Sequence, residues 1–269
     1  MNATRNQTGR EPTPTRFKLH DCEIIMRRKG AGKTLVFLHG AGGSSDWLPF
    51  METLSHSYDV IVPEHPGYGA SDDPDWLERT EDLAYFYLDF LKALDLTDVH
   101  LLGLSLGGWI AAELAIRDTS RLASLTLVDA AGNFVEGAES VDIFLITPEE
   151  RFRATYYDQD LALSEMKRLM TPENTDTAIK NNFTTAKLTW QPRAYNPAML
   201  KWLKRIELPT LVIWGANDRA FGPEYADSYQ ALIPGAEKVI IPECGHVPNV
   251  EKPEEFIAAV ADFIGRVAT

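Results

Sequence analysis

The chain has 269 residues, 45% of them hydrophobic and 24% charged, with 39 acidic side chains against 26 basic ones and a formal net charge of −13. That length can bury a full core, as one large domain or as one domain with an insertion. The acidic balance argues against a nucleic-acid partner, which needs a basic face, and against docking on an anionic membrane.

Met1 to Thr15 is polar and proline-containing. It lacks the apolar core of a signal peptide and reads as a disordered lead-in. Arg16 to Arg28 alternates polar and apolar residues around His20-Asp21, which predicts a β-hairpin. Thr34 to Leu38 is a short apolar strand ending at His39-Gly40. A helix is predicted over Trp47 to Leu54 and a buried strand over Tyr58 to Val62. Thr80 to Leu94 places Leu83, Phe86, Tyr87, Phe90, Leu91 and Leu94 at helical spacing. A strand at Val99 to Leu102, a helix at Leu106 to Arg117 and a strand at Leu122 to Val128 follow. Leu208 to Trp214 and Lys238 to Ile241 are two more strands. Pro253 to Val267 closes the chain as an amphipathic helix.

Short apolar strands alternating with helices imply an α/β fold, with a mostly parallel central sheet and helices on both faces. The rhythm breaks between Gly132 and Leu208. There the pattern is helical, over Thr147 to Tyr157, Leu161 to Met170, Thr175 to Leu188 and Pro197 to Arg205. The expected organisation is a core over 16–132 and 206–269 with an inserted helical cap over 133–205. The two cysteines, Cys22 and Cys244, form no disulfide framework or C-x-x-C motif. No apolar run reaches the roughly 18 residues of a membrane span. The expectation is a cytoplasmic protein.

Gly103-Leu104-Ser105-Leu106-Gly107 joins a strand to a helix, which is the sequence form of a nucleophile elbow. The serine sits on a strained turn, and flanking glycines relieve the close approach of neighbouring backbone. A nucleophilic serine needs a base, an orienting acid and an oxyanion hole. Of six histidines, only His246 lies after the elbow, on a loop beyond the last predicted strand. Two carboxylates follow strands: Asp218, in Gly215-Ala216-Asn217-Asp218-Arg219, and Asp129. Asp218 is the first choice for the acid and Asp129 the alternative. The oxyanion amides are assigned to Leu106, at the start of the helix, and Ala41, in His39-Gly40-Ala41-Gly42-Gly43. His39 and His65 read as structural braces.

HGAGG, HPGYGASD, GLSLGGW, GANDR and CGHVPNVEKPEEF together resemble the α/β-hydrolase superfamily. They are most similar to its capped, cofactor-independent branch, which includes carboxylesterases and hydrolases of meta-cleavage products. The resemblance covers Phe17 to Val267 and implies a triad of Ser105, Asp218 and His246. Dehalogenase and epoxide-hydrolase branches carry an aspartate where this chain has Ser105. A carboxylic-ester hydrolase is the first reading. The alternatives are a carbon–carbon bond hydrolase with the same triad, for which Arg193 would be the cation that meets a substrate carboxylate, and a ligand-binding receptor on the same fold. Gly40, Gly42, Trp190 and Val247 are candidate substrate contacts. Phe134, Phe144, Leu145, Phe152, Trp190 and Trp202 are a candidate apolar lining of the cap. There is no metal-ligand cluster and no dinucleotide fingerprint, so the expected partner is a small ester or ketone, without cofactor, nucleic acid or membrane.

Overall fold

The computed structural model describes residues 11–44, 46–138 and 140–267. Residues 1–10 of the expected lead-in fall outside them, and the first strand already begins at Thr15. In chain order the elements are β1 (Thr15–Leu19), β2 (Cys22–Lys29), β3 (Lys33–Leu38), α1 (Pro49–Ser55), β4 (Tyr58–Pro63), α2 (Thr80–Ala93), β5 (Val99–Leu104), α3 (Leu106–Arg117) and β6 (Leu122–Val128). Then come α4 (Pro148–Thr155), α5 (Gln159–Leu169), α6 (Thr175–Thr189) and α7 (Pro197–Leu200). The chain closes with β7 (Thr210–Gly215), α8 (Pro223–Leu232), β8 (Glu237–Ile241), α9 (Pro248–Glu251) and α10 (Pro253–Val267).

The strands form one sheet in the order β1-β2-β4-β3-β5-β6-β7-β8. The hairpin β1–β2 and its junction with β4 are antiparallel, and every other pairing is parallel. Side chains alternate across each strand, which sorts them into two cores. Val36 and Leu38 of β3 and Val212 and Trp214 of β7 face α2, α3 and α8. Leu35 and Phe37, with Leu211 and Ile213, face α1 and α10. Both faces are covered, so the central strands are apolar on both sides, as parallel strands require. This is the α/β-hydrolase fold expected from the sequence.

Three local departures have simple causes. The first helix starts at Pro49 instead of Trp47, because proline at the first helical position fixes the start. The helix expected over 197–205 breaks into α7 and a separate 3-10 turn at Leu203–Arg205. Helices α8 and α9 have no counterpart in the sequence pattern. The first buries only Tyr225, Ala226 and Tyr229, too sparse a stripe to mark it, and the second has four residues. Among the described residues no helix is long and apolar enough to cross a membrane.

Candidate active site

Because β3 to β8 run parallel, the loops that leave them emerge at one edge of the sheet. Ser105 follows β5, Asp129 follows β6, Asp218 lies after β7, and His246 lies after β8. Residues distant in sequence are thereby gathered where open α/β sheets bind ligands.

Ser105 has φ 55° and ψ −116°, a conformation costly for a residue with a side chain. The surrounding backbone holds it there. Its N–H donates to Val128 O at 2.8 Å, and its carbonyl accepts from Trp109 N and Ala131 N, each at 3.1 Å. The tight turn also explains its glycines. A Cβ on Gly103 would overlap the Gly107 carbonyl, and one on Gly107 would overlap the Leu38 carbonyl. Gly40 passes so near the nucleophile that its Cβ would lie 3.2 Å from that of Ser105.

His246 Nε2 lies 2.9 Å from Ser105 Oγ, and His246 Nδ1 lies 2.7 Å from Asp218 Oδ2. A carboxylate can only accept, so Nδ1 carries the proton and Nε2 is left to accept from the serine hydroxyl. The other Asp218 oxygen accepts from Ala220 N at 2.7 Å and Phe221 N at 3.1 Å. These bonds fix the carboxylate's direction. A Cβ on Gly215 would overlap the Gly245 carbonyl, so the acid loop and the histidine loop touch backbone to backbone.

Asp129, the alternative acid, does not bond His246. It is fully buried, and its Oδ1 accepts from Gly215 N at 2.9 Å. Burial, and then the neighbouring Asp218 carboxylate, push its carboxyl well above the usual range. One oxygen each of Asp129 and Asp218 and one ring nitrogen of His246 lie within 4.8 Å of one another. A cation there would compete for the Asp218 and His246 atoms already bonded to each other, so the trio fits acid–base work better than metal binding.

Leu106 is the first residue of α3, where a helix N–H has no partner within the helix. Ala41 lies in a turn closed by Gly43 N donating to Gly40 O at 3.1 Å. Side chains brace this turn. His39 Nδ1 donates to Gly40 O at 2.7 Å, and Asn181 Nδ2 of α6 donates to Gly42 O at 3.0 Å. His39 Nε2 accepts from His65 N at 3.0 Å, and His65 Nε2 donates to His39 O at 2.8 Å. Both rings are buried and neutral. Burial pulls His39 down to about 4 and His65 well below its ordinary value. Gly42 is open, with nothing within 4 Å of a Cβ placed there. Val247 is half-buried directly after His246.

The residues expected to line the cap fall in several places. Trp202 lies in a surface groove with Glu81, Tyr85, Ile116 and Arg117, at the far end of α3 from Ser105. Leu145 is 77% exposed and Phe134 49%. Trp190 stands at the end of α6, half-exposed, with ring contacts to Phe144 and Arg193. Arg193, the expected cation, is bound to Asp142 at 2.5 Å and stacked on Trp190, so its charge is already matched. Two contributors escaped sequence reasoning. Asn181 sits mid-helix in no motif. Arg151, one turn before Thr155 on α4, donates to Asn182 at 2.8 Å and has no carboxylate partner among the described residues.

Comparison with known proteins identifies the family and the fold. The model of the alpha/beta hydrolase family matches residues 35–259. Lipase 1 of Psychrobacter immobilis is 30% identical over 240 residues, 84% of this chain and 74% of the lipase. The 2-hydroxy-6-oxo-6-(2'-aminophenyl)hexa-2,4-dienoic acid hydrolase of Metapseudomonas resinovorans is 27% identical over 89% of this chain and 86% of its own. Among solved structures, a membrane phospholipase A described as a bacterial virulence factor superposes with a TM-score of 0.82 at 26% identity, over 96% of this chain and 87% of the other.

Proposed function

This chain belongs to the α/β-hydrolase family and is a hydrolase, and from that premise we propose that it cleaves carboxylic esters through a triad of Ser105, His246 and Asp218. The observation that carries the reading is the continuous hydrogen-bonded line from Ser105 Oγ through His246 to Asp218. His246 Nε2 takes the Ser105 proton as Oγ attacks the ester carbonyl. The carbonyl electrons move onto its oxygen, held by the amides of Leu106 and Ala41. Each such donor is worth about 10²–10³ in rate. Asp218 keeps the imidazole in the required tautomer and stabilises the imidazolium. His246 then returns the proton to the departing alkoxide. Water enters, gives a proton to His246 and attacks the acyl-Ser105 carbonyl. Release of the acid restores the serine hydroxyl.

Gly40 and Gly42 leave the approach to Ser105 clear of side chains, and Val247 borders it. The helices between β6 and β7 act as the cap that selects the substrate. The likeness to a lipase favours the ester reading. The test is hydrolysis of p-nitrophenyl esters of graded acyl length by the native protein and by Ser105→Ala. The expected result is repeated turnover by the native protein and a loss of at least about 10⁴-fold in the variant, with unfolding unchanged. A folded native protein that binds such esters without cleaving them would contradict the reading.

One observation favours a second reading, carbon–carbon hydrolysis of a carboxylate-bearing substrate like that named for the Metapseudomonas resinovorans relative. Arg151, which has no carboxylate partner among the described residues, is the cation that chemistry would use. Thr155, on the same helical face, accepts from His246 N at 2.7 Å, and Asn182, which Arg151 bonds, follows the residue that holds Gly42. Under this reading Arg151→Met lowers turnover of an ester bearing a free carboxylate and leaves a neutral ester of equal length little changed. Equal losses on both would remove it.

A further inference from the structure

Resting on the triad reading above, we propose that Glu251 is a positioning residue that joins the His246 loop and the α4–α5 joint of the insert into one unit. His246 then stands correctly only when the insert is docked. Glu251 ends α9, five residues after His246 in the CGHVPNVEKPEEF segment. Its Oε2 accepts from Gly245 N at 2.6 Å. Its Oε1 accepts from Tyr157 N at 2.8 Å and Asp158 N at 3.0 Å, the residues that link α4 to α5. Cys244 Sγ approaches Oε2 at 4.0 Å. A carboxylate offers about four acceptor positions, and backbone amides from two separate segments occupy three of them. Among the described residues Glu251 makes no ion pair, so its charge serves these amides.

The contact is reciprocal. His246 N donates to Thr155 O at 2.7 Å, so the residue that carries the base is tied directly to the end of α4. The two segments are in close contact. A Cβ on Gly245 would overlap the Thr155 carbonyl and stand 2.8 Å from Tyr157 N and 2.9 Å from Glu251 Oε2. Asp218 orients the imidazole ring, while Glu251 and Thr155 set where its backbone lies. The 2.9 Å bond to Ser105 needs both. Displacement of a reacting group by about 1 Å can cost on the order of 10² in rate, so a clamp on the backbone acts on turnover more than on binding.

The experiment compares native protein, Glu251→Gln, Gly245→Ala and the double variant. It measures kcat and KM on p-nitrophenyl butyrate, the rate of Ser105 labelling by a fluorophosphonate, and urea unfolding. Glutamine keeps one acceptor oxygen but turns its NH2 against amide donors, which opens one half of the clamp. Glu251→Gln is expected to lower kcat and the labelling rate by the same factor, about 10–100-fold, with KM within about threefold. Gly245→Ala opens the same joint by overlap. The double variant is therefore expected to lose no more than about twofold beyond the worse single one, as coupled sites do. If Gly245→Ala is not recovered folded, Glu251→Gln alone decides. A lower urea midpoint with labelling at the native rate would reduce Glu251 to a stability brace, and multiplying losses would overturn the shared unit. A native protein whose Ser105 is not labelled would overturn the triad reading itself.

Discussion

Helices α10 and α6 are both 15 residues long, yet they bury opposite kinds of surface. The C-terminal helix packs Phe256, Val260, Phe263 and Ile264 against the sheet. Helix α6 of the insert buries the polar Asn181, Thr184, Thr185 and Thr189, joins the apolar core only through Leu188 near its end, and leaves Ile179 at 62% and Phe183 at 64% exposed. Its attachments are directional. Asn181 bonds Gly42 and Gly69, Thr184 bonds Gly67, Thr185 bonds Tyr68, and Lys180 bonds the carbonyls of Gly69 and Ser71. A buried apolar side chain contributes about 1.5–3 kcal/mol, whereas a net hydrogen bond contributes about 1 kcal/mol. The core is therefore the stable platform, and the insert is the part expected to open first.

The contrast can be broken by substitution. Phe256→Ala, in the core, should cost about 3–5 kcal/mol in urea unfolding. A cost below 1 kcal/mol would mean that α10 is not the anchor its packing implies. Next comes acid. The buried rings of His39 and His65 stay neutral in the folded chain, His39 down to about 4, while in the unfolded chain they bind protons near 6.5. Between those values the unfolded chain holds more protons, so stability is full above about pH 6.5 and falls as pH falls. His39 alone should account for about 3 kcal/mol by pH 4. Urea midpoints at pH 7, 5.5 and 4.5 should drop accordingly, and less steeply in His39→Asn.

Smaller effects sharpen the insert side. Asn181→Ala removes two hydrogen bonds and should cost about 1–2 kcal/mol. It should also slow turnover, because Gly42 loses the brace beside the Ala41 amide. Unchanged turnover would separate α6 from the oxyanion loop. Phe183→Ser should change stability by no more than about 0.5 kcal/mol, since its ring already faces solvent. A larger loss would show that this face is covered in solution.

The same contrast explains what could be read from the chain. In the core, burial sorts apolar from polar residues, so periodicity places Leu106–Arg117, Leu122–Val128 and Pro253–Val267 at their observed bounds. Ser105, Asp218 and His246 are legible as candidates because each follows a strand that the apolar pattern marks. In the insert, apolar character is a weaker guide to burial: Leu188, Met199 and Leu203 are buried, while Ile179, Phe183 and Leu145 are exposed. Leu145 and Phe134 are exposed, Trp202 of the expected lining lies at the far end of α3, and Arg193, the expected cation, is paired with Asp142. Asn181, Arg151 and Glu251 reach segments far from them in the chain through side-chain hydrogen bonds, which the apolar periodicity does not encode.

The central claim is that His246, held by Asp218, activates Ser105. It is tested most directly by treating native protein and His246→Ala with a fluorophosphonate and locating the adduct by peptide mass. A single adduct on Ser105 in the native protein, slowed by at least about 10³-fold in the variant, is the expected result. An adduct elsewhere, or one that forms equally fast without His246, would contradict it.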